Sequence, residues 1–62
     1  MTVITTAEVR IRLSSLIADL ERIRREAKSL DLGMLAFLVG YAEEEGQKEL
    51  ALLTRMAGER AE

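Results

Sequence analysis

The chain has 62 residues, of which 48% are hydrophobic and 3% aromatic, and its nine basic and eleven acidic side chains give a formal net charge of −2. This length allows one small domain, near the lower limit for a chain that folds alone. An aliphatic composition without Pro predicts helices, not strands, and the slight acidic excess argues against a dedicated nucleic-acid binder.

The sequence contains neither Cys nor His. Disulfides and thiolate metal sites are therefore excluded, and the commonest acid–base catalyst at neutral pH is missing. Because no nucleophile–base pair or Gly-rich phosphate loop is evident, we expect no enzyme, no cofactor and no small-molecule substrate. The N-terminus does not read as a secretory signal, and the longest apolar run is too short to span a bilayer. We expect a cytoplasmic protein, and the preference for Arg over Lys suits a GC-rich bacterial gene.

The first helix is predicted to begin after Thr5, following a loose lead-in over residues 1–4. Thr5 and Glu8 have the spacing of a capping box. In that motif the Thr5 hydroxyl accepts from the Glu8 N–H, while the Glu8 carboxylate accepts from the Thr5 N–H. Ile4 and Val9 are spaced as a hydrophobic staple, which supports the same start.

Apolar residues then recur at alternating steps of four and three, the a/d pattern of a helix that packs along its length against another helix. The pattern predicts a helix over about residues 6–30, roughly 37 Å long at 1.5 Å per residue. The predicted contact stripe consists of Val9, Leu13, Leu16, Leu20, Ile23, Ala27 and Leu30.

Residues 31–33 are predicted to form a tight turn. Asp31 would take the left-handed conformation that ends a helix, and Leu32 would fold back as the apolar residue after it. Gly33 would be the N-cap of the next helix. A connection this short requires the two helices to lie adjacent and antiparallel.

The second helix is predicted over about residues 34–57, with Gly58 ending it. Gly40 and Gly46 each weaken a helix by about 1 kcal/mol relative to Ala, so close approach of the two helices is the expected reason for both. The predicted stripe consists of Leu35, Val39, Ala42, Gly46, Leu50, Leu53 and Ala57. The predicted register sets Ile23 near Ala42, Leu20 near Gly46, and Leu16 and Leu13 near Leu50 and Leu53.

Several apolar residues lie off these stripes, and two packed helices have no third layer to cover them. We therefore predict an all-α protein, an antiparallel two-helix hairpin that dimerises into a four-helix bundle. An aromatic and aliphatic cluster of this kind is a recurrent anchor at protein interfaces. The predicted self-association residues are Ile17, Met34, Phe37, Leu38, Tyr41, Leu52 and Met56.

Two charged clusters are predicted to be solvated helix faces. The acidic cluster could instead hold Mg²⁺ or Ca²⁺ loosely, but carboxylate metal sites in four-helix bundles also use Glu-x-x-His, and there is no His, so we expect no metal. The basic cluster could instead contact phosphate or an acidic partner. The acidic cluster is Glu43, Glu44, Glu45 and Glu49; the basic cluster is Arg22, Arg24, Arg25 and Lys28.

The run Leu32-Gly33-Met34-Leu35-Ala36-Phe37-Leu38 resembles the turn and second-helix start of short, uncharacterised helical-hairpin proteins from alphaproteobacteria. This resemblance implies a hairpin fold and brings no known activity. The architecture is also similar in shape to Rop, a plasmid RNA-binding protein that is a dimer of two-helix hairpins. No residues match Rop's RNA-contacting face.

The functional prediction is a non-catalytic, self-associating hairpin that acts as a protein-interaction or regulatory module. Its expected partner is a second copy of itself, as a homodimer. The first alternative is a Rop-like binder of structured RNA that uses the basic cluster of the first helix. The second alternative is that the surface over residues 34–41 binds another protein in place of a second copy.

Overall fold

The computed structural model describes residues 5–59 of the chain, and side chains through residue 56. The sequence forms two helices, α1 at Thr6–Ser29 and α2 at Gly33–Glu59, and no strand occurs between residues 5 and 59. The helices pack extensively against each other, in an elongated molecule with principal extents of 46 × 25 × 14 Å. The predicted all-α helical hairpin is confirmed.

Thr5 is the N-cap of α1, as its spacing from Glu8 predicts. Its backbone is extended, with φ −76° and ψ 160°, and its Oγ1 accepts from the Glu8 N–H at 3.1 Å. The Glu8 carboxylate was expected to accept from Thr5 but accepts from Arg12 at 2.8 Å. The described residues therefore show one half of the capping box. Ile4, the expected staple partner of Val9, lies outside the described residues, as does the rest of the lead-in.

The turn is a Schellman motif, which provides hydrogen-bond donors for the last carbonyls of α1. Asp31 has φ 61°, the left-handed conformation predicted for it. Its N–H donates to the Lys28 carbonyl at 3.0 Å, and the Leu32 N–H donates to the Ala27 carbonyl at 2.9 Å. This pattern reverses the chain within three residues, which sets the level at which the two helices meet.

The predicted ends of α2 are both wrong by a small margin. The Leu32 carbonyl accepts from the Ala36 N–H at 2.9 Å, so Leu32 is the N-cap and Gly33 is the first helical residue. At the other end α2 continues through Gly58 to Glu59. A Gly in helical conformation costs only about 1 kcal/mol relative to Ala, which is too little to stop a long helix by itself.

Small residues lie at the contact between the helices, here called the seam. Ala27 and Ala36 are buried near the turn, and Ile17 is buried further along α1. A Cβ added to Gly46 would lie 3.0 Å from Ile17 Cγ1 and 3.9 Å from Leu13 Cδ1. The backbone of α2 therefore comes as close to α1 as a glycine permits, which is the reason expected for Gly46.

The register predicted from the stripes is wrong by about three residues, because Gly46 faces Ile17 and Leu13 instead of Leu20. Ile17 was expected to lie outside the seam, but it is buried, with only 8% of its surface exposed. The turn connects Ser29 to Gly33 through only three residues. Ala27 of α1 therefore lies opposite Ala36 of α2, and Ile17 lies opposite Gly46. The members of the predicted stripes that are exposed are Val9, Leu16, Ile23, Leu30, Leu35 and Ala42. The side chain of Ala57 lies outside the described residues.

Candidate functional site

Each helix carries a row of residues, spaced by seven, that the other helix does not cover. In α1 the residues at the seam are Leu13, Leu20 and Ala27, which are spaced by seven, together with Ile17; the row that precedes Ile17 by one position is exposed. In α2 Ala36 lies at the seam, and the row that precedes it by one position is exposed. We call these two rows the heptad face: Val9, Leu16, Ile23 and Leu30 from α1, and Leu35, Ala42, Glu49 and Met56 from α2.

Both rows lie on the same side of the hairpin. Leu16 immediately precedes the buried Ile17, and Leu35 immediately precedes the buried Ala36; one step back along an α-helix is a rotation of about 100°. Two antiparallel helices are related by a two-fold axis normal to the plane that contains them. Equal rotations away from the seam therefore turn to the same side of that plane. Among the eight residues of the heptad face, Glu49 carries the one charge.

The hairpin buries small side chains and exposes large ones. In the described part of the chain the buried hydrophobic residues are Ile17, Ala27 and Ala36, whereas thirteen large hydrophobic side chains are exposed. The accessible surface is 5099 Å², compared with about 4,000 Å² for an average folded monomer of this mass. The radius of gyration is 14.4 Å, compared with about 10.6 Å for a globular domain of this length. One copy therefore leaves much of its apolar surface in contact with water.

The seven residues predicted for self-association do not share one surface. Ile17 is buried in the seam, because Gly46 leaves room for it. Met56 belongs to the heptad face. Leu38 lies in the row of α2 next to that face, further from the seam. Both of these side chains are exposed.

The other four predicted residues do not belong to the heptad face. Leu52 follows Leu38 by fourteen residues and so shares its row, whereas Met34 and Tyr41 lie about half a turn from the seam, on the outer side of α2. Phe37 is 67% exposed and lies on the side of the hairpin opposite to the heptad face. The predicted aromatic cluster therefore spreads over the outer and opposite sides of α2.

A shallow groove of about 510 Å³ lies on that opposite side, next to the turn. Phe37 and Tyr41 give it an aromatic edge, while Lys28 and Glu44 place one charge of each sign along it. Its lining residues are Arg24, Lys28, Gly33, Ala36, Phe37, Gly40, Tyr41 and Glu44.

Arg24 and Glu43 form an ion pair across the seam, in which Arg24 Nε donates to Glu43 Oε1. The hydrogen bond and the attraction of the carboxylate raise the pKa of Arg24 above its usual value. Gly40 lies beside the arginine stem, and a Cβ there would meet Arg24 Cδ at an ordinary 3.4 Å.

This ion pair corrects the prediction of two solvated charged faces. The Glu43 side chain is only 14% exposed, so Glu43 is not part of a solvated acidic face, and Arg24 is held in the seam. In the described part of the chain no three His, Cys, Asp or Glu side chains are grouped so that they could hold a metal ion.

Of the remaining basic residues, Lys28 lines the same groove as Arg24, whereas Arg22 and Arg25 do not. Arg25 contacts Glu21 at 3.0 Å, and Arg22 lies 3.6 Å from Asp19. Both contacts are exposed and lie within α1. A nucleic acid or acidic partner would therefore meet cations that are already interspersed with carboxylates.

Sequence reasoning missed the heptad face because it assigned most of that face to the seam. Two signals could have separated them. Apolar residues at Leu13, Leu16, Ile17, Leu20 and Ile23 make a band too wide for one partner helix. The three-residue turn also fixes which residue of α1 lies level with Gly46, and that residue is Ile17.

The fold and the heptad face define a class of protein, a two-helix hairpin with one apolar side left uncovered. Neither helix within residues 5–59 has the combination of length and apolar character needed to cross a membrane. Comparison with protein-family models, with curated proteins and with solved structures finds no match to this chain.

Proposed function

We propose that this protein is a non-catalytic hairpin that self-associates, as a homodimeric four-helix bundle, and serves as a protein-interaction or regulatory module. The observation that carries the proposal is the contrast between a core of Ile17, Ala27 and Ala36 and the thirteen large hydrophobic side chains in contact with water. Among these side chains, Val9, Leu16, Ile23 and Leu30 recur every seven residues along one row, and contiguous exposed apolar surface marks an interaction site. A second hairpin supplies the two further helices that complete a four-helix bundle.

The chemistry of the polar side chains supports a non-catalytic role. The chain has no His and no Cys. Two of its hydroxyls are engaged with their own helices: Ser29 Oγ donates to the Glu26 carbonyl at 2.7 Å, and Thr54 Oγ1 donates to the Leu50 carbonyl at 2.9 Å. Hydroxyls in such contacts are not held by a base that could activate them as nucleophiles.

Sedimentation equilibrium at micromolar concentration tests this proposal, with circular dichroism recorded on the same samples. The expected result is a helical species of twice the 6.9 kDa chain mass that dissociates on dilution. A well-ordered 6.9 kDa monomer at the highest concentration measured would overturn the proposal.

The RNA-binding alternative would have to act through Arg22, Arg25 and Lys28, because Arg24 is paired across the seam. Binding of structured RNA at low salt, lost when Arg22 and Arg25 are both replaced with Gln, would favour it. The alternative of another protein partner would be favoured by a mixed complex from the source cell in which self-pairing is absent.

A further inference from the structure

We infer that a second copy of this chain covers the heptad face and leaves the groove beside Phe37 and Tyr41 open. This inference rests on the proposed self-association and adds which side of the hairpin is used. Four large aliphatic side chains of α1, at Val9, Leu16, Ile23 and Leu30, are the centre of the interface. Phe37 and Tyr41, the two aromatic residues of the chain, lie outside this interface.

The length and spacing of the α1 row select the occupant. From Val9 to Leu30 the row runs for about 32 Å along the helix at 1.5 Å per residue. A seven-residue repeat keeps facing a partner only when that partner is another helix crossing at a shallow angle. The occupant must therefore be an apolar helical rod of similar length. This chain itself presents one such row in α1, beside a row of α2 that only Glu49 interrupts with a charge.

The exposed area agrees with a dimer. The accessible surface of the chain exceeds the average for a monomer of its mass by about 1,100 Å². If two copies each covered that excess, the interface would bury about 2,200 Å² in total, which lies in the range of obligate homodimers. The molecule thus has the surplus surface that a stable pair of copies requires.

The opposite side of the hairpin lacks a continuous row. Seven residues after Phe37 stands Glu44, and seven and fourteen residues after Ile11 stand Ala18 and Arg25. Single apolar side chains separated by charges are normal on a protein surface. This side therefore offers isolated contacts, whereas the α1 row of the heptad face is apolar along its whole length.

Charge substitutions test the inference. Leu16→Glu and Ile23→Glu each place a carboxylate in the interface, and we expect each to weaken the dimer on the order of 100-fold in sedimentation equilibrium, since a buried unpaired charge is costly. The matched controls are Ile11→Glu and Phe37→Glu, expected to change the dissociation constant by less than about threefold. Ile11 and Phe37 are 70% and 67% exposed, more than Leu16 at 58% and Ile23 at 39%, so exposure alone predicts the opposite order.

A second pair of variants keeps the test decisive if the Glu substitutions unfold the chain. Glu49 carries the one charge of the heptad face, so Glu49→Leu is expected to tighten the dimer about tenfold or more. Glu44→Leu makes the same change on the opposite side of α2 and is expected to leave the dissociation constant unchanged. Circular dichroism on each variant reports whether its helices are intact.

The outcomes separate the two proposals. A folded wild-type monomer would remove both. A wild-type dimer that dissociates with Phe37→Glu but persists with Leu16→Glu, or that is not tightened by Glu49→Leu, would retain self-association and overturn the heptad face as its surface. Dissociation with Leu16→Glu and Ile23→Glu, together with tightening by Glu49→Leu, would support both.

Discussion

The seam and the heptad face run side by side along the same helices, yet they differ in the size of the side chains they hold. At the seam Ala27, Ala36 and Gly46 let two backbones approach closely, and Ile17 fills the space beside Gly46. On the heptad face α1 presents Leu16 and its neighbours in the row to water.

One copy of this chain gains little from hydrophobic burial. Burial contributes roughly 25 cal/mol per Å² of apolar surface, and thirteen large hydrophobic side chains of the described residues remain exposed. We therefore expect the free energy of unfolding to depend on protein concentration, as it does when folding and association are coupled. Each stability measurement below is accordingly made at one fixed concentration.

The largest effect is expected from removing the one large side chain buried in the seam. Ile17→Ala should lower the free energy of unfolding by about 2–5 kcal/mol, because it leaves a cavity against Gly46 that two rigid helices cannot collapse to fill. Ile11→Ala deletes the same atoms from an exposed site of the same helix. It should change the free energy of unfolding by less than about 0.5 kcal/mol. Urea denaturation followed by circular dichroism measures both, and equal losses would contradict the burial of Ile17.

An intermediate effect is expected from adding one methyl group at each of two glycines. Gly40→Ala should stabilise by up to about 1 kcal/mol, since helix propensity improves and the new Cβ meets Arg24 Cδ at an ordinary 3.4 Å. Gly46→Ala should instead destabilise, by about 1 kcal/mol, because its Cβ would press on Ile17 Cγ1 at 3.0 Å.

The change in stability caused by Gly46→Ala should reverse its sign when Ile17 is replaced with Ala. In an Ile17→Ala background the added methyl group fills part of the cavity, so Gly46→Ala should stabilise, and the two substitutions should be non-additive. Thermal denaturation of the wild type, the two single variants and the double variant measures this coupling. Additive effects would mean that Gly46 and Ile17 do not touch.

The smallest effect is expected at the ion pair of the seam. Glu43→Gln should lower the melting temperature slightly, because it removes the charge attraction to Arg24 across the seam, and added salt should reduce the difference. The exposed pair of Glu21 with Arg25 gives the control, since Glu21→Gln should have no measurable effect. A charge exchange, Arg24→Glu with Glu43→Arg, should recover part of the loss; no recovery would show that the pair does not stabilise the hairpin.

Local structure could be predicted from the sequence because short-range chemistry determines it. Thr5 caps α1 through a hydroxyl that reaches the Glu8 N–H, and Asp31 tolerates the left-handed conformation that reverses the chain. Neither feature depends on what α2 does. The smaller errors, at Gly33 and Gly58, arose because a glycine is compatible with several positions near a helix end.

The candidate site could be predicted only in part, because the a/d pattern does not say which apolar row faces which neighbour. Leu16 and Ile17 are adjacent in sequence and both aliphatic, so periodicity alone permits either to enter the seam. The same ambiguity hid the pairing of Arg24 with Glu43, since those residues are nineteen positions apart and each has charged neighbours nearer in sequence.

Two long helices, the Thr5 cap of α1 and the sharp reversal at Asp31 follow from the amino-acid sequence, because each depends on side chains within four or five residues. The tertiary structure decided the rotation of each helix about its own axis. Gly46 lies directly beside the branched Ile17, where an added Cβ would crowd it at 3.0 Å, and Arg24 reaches Glu43 across the seam. That rotation buries the small side chains and turns Leu16 and Ile23 outward, because steric fit across the seam depends on contacts between residues distant in sequence.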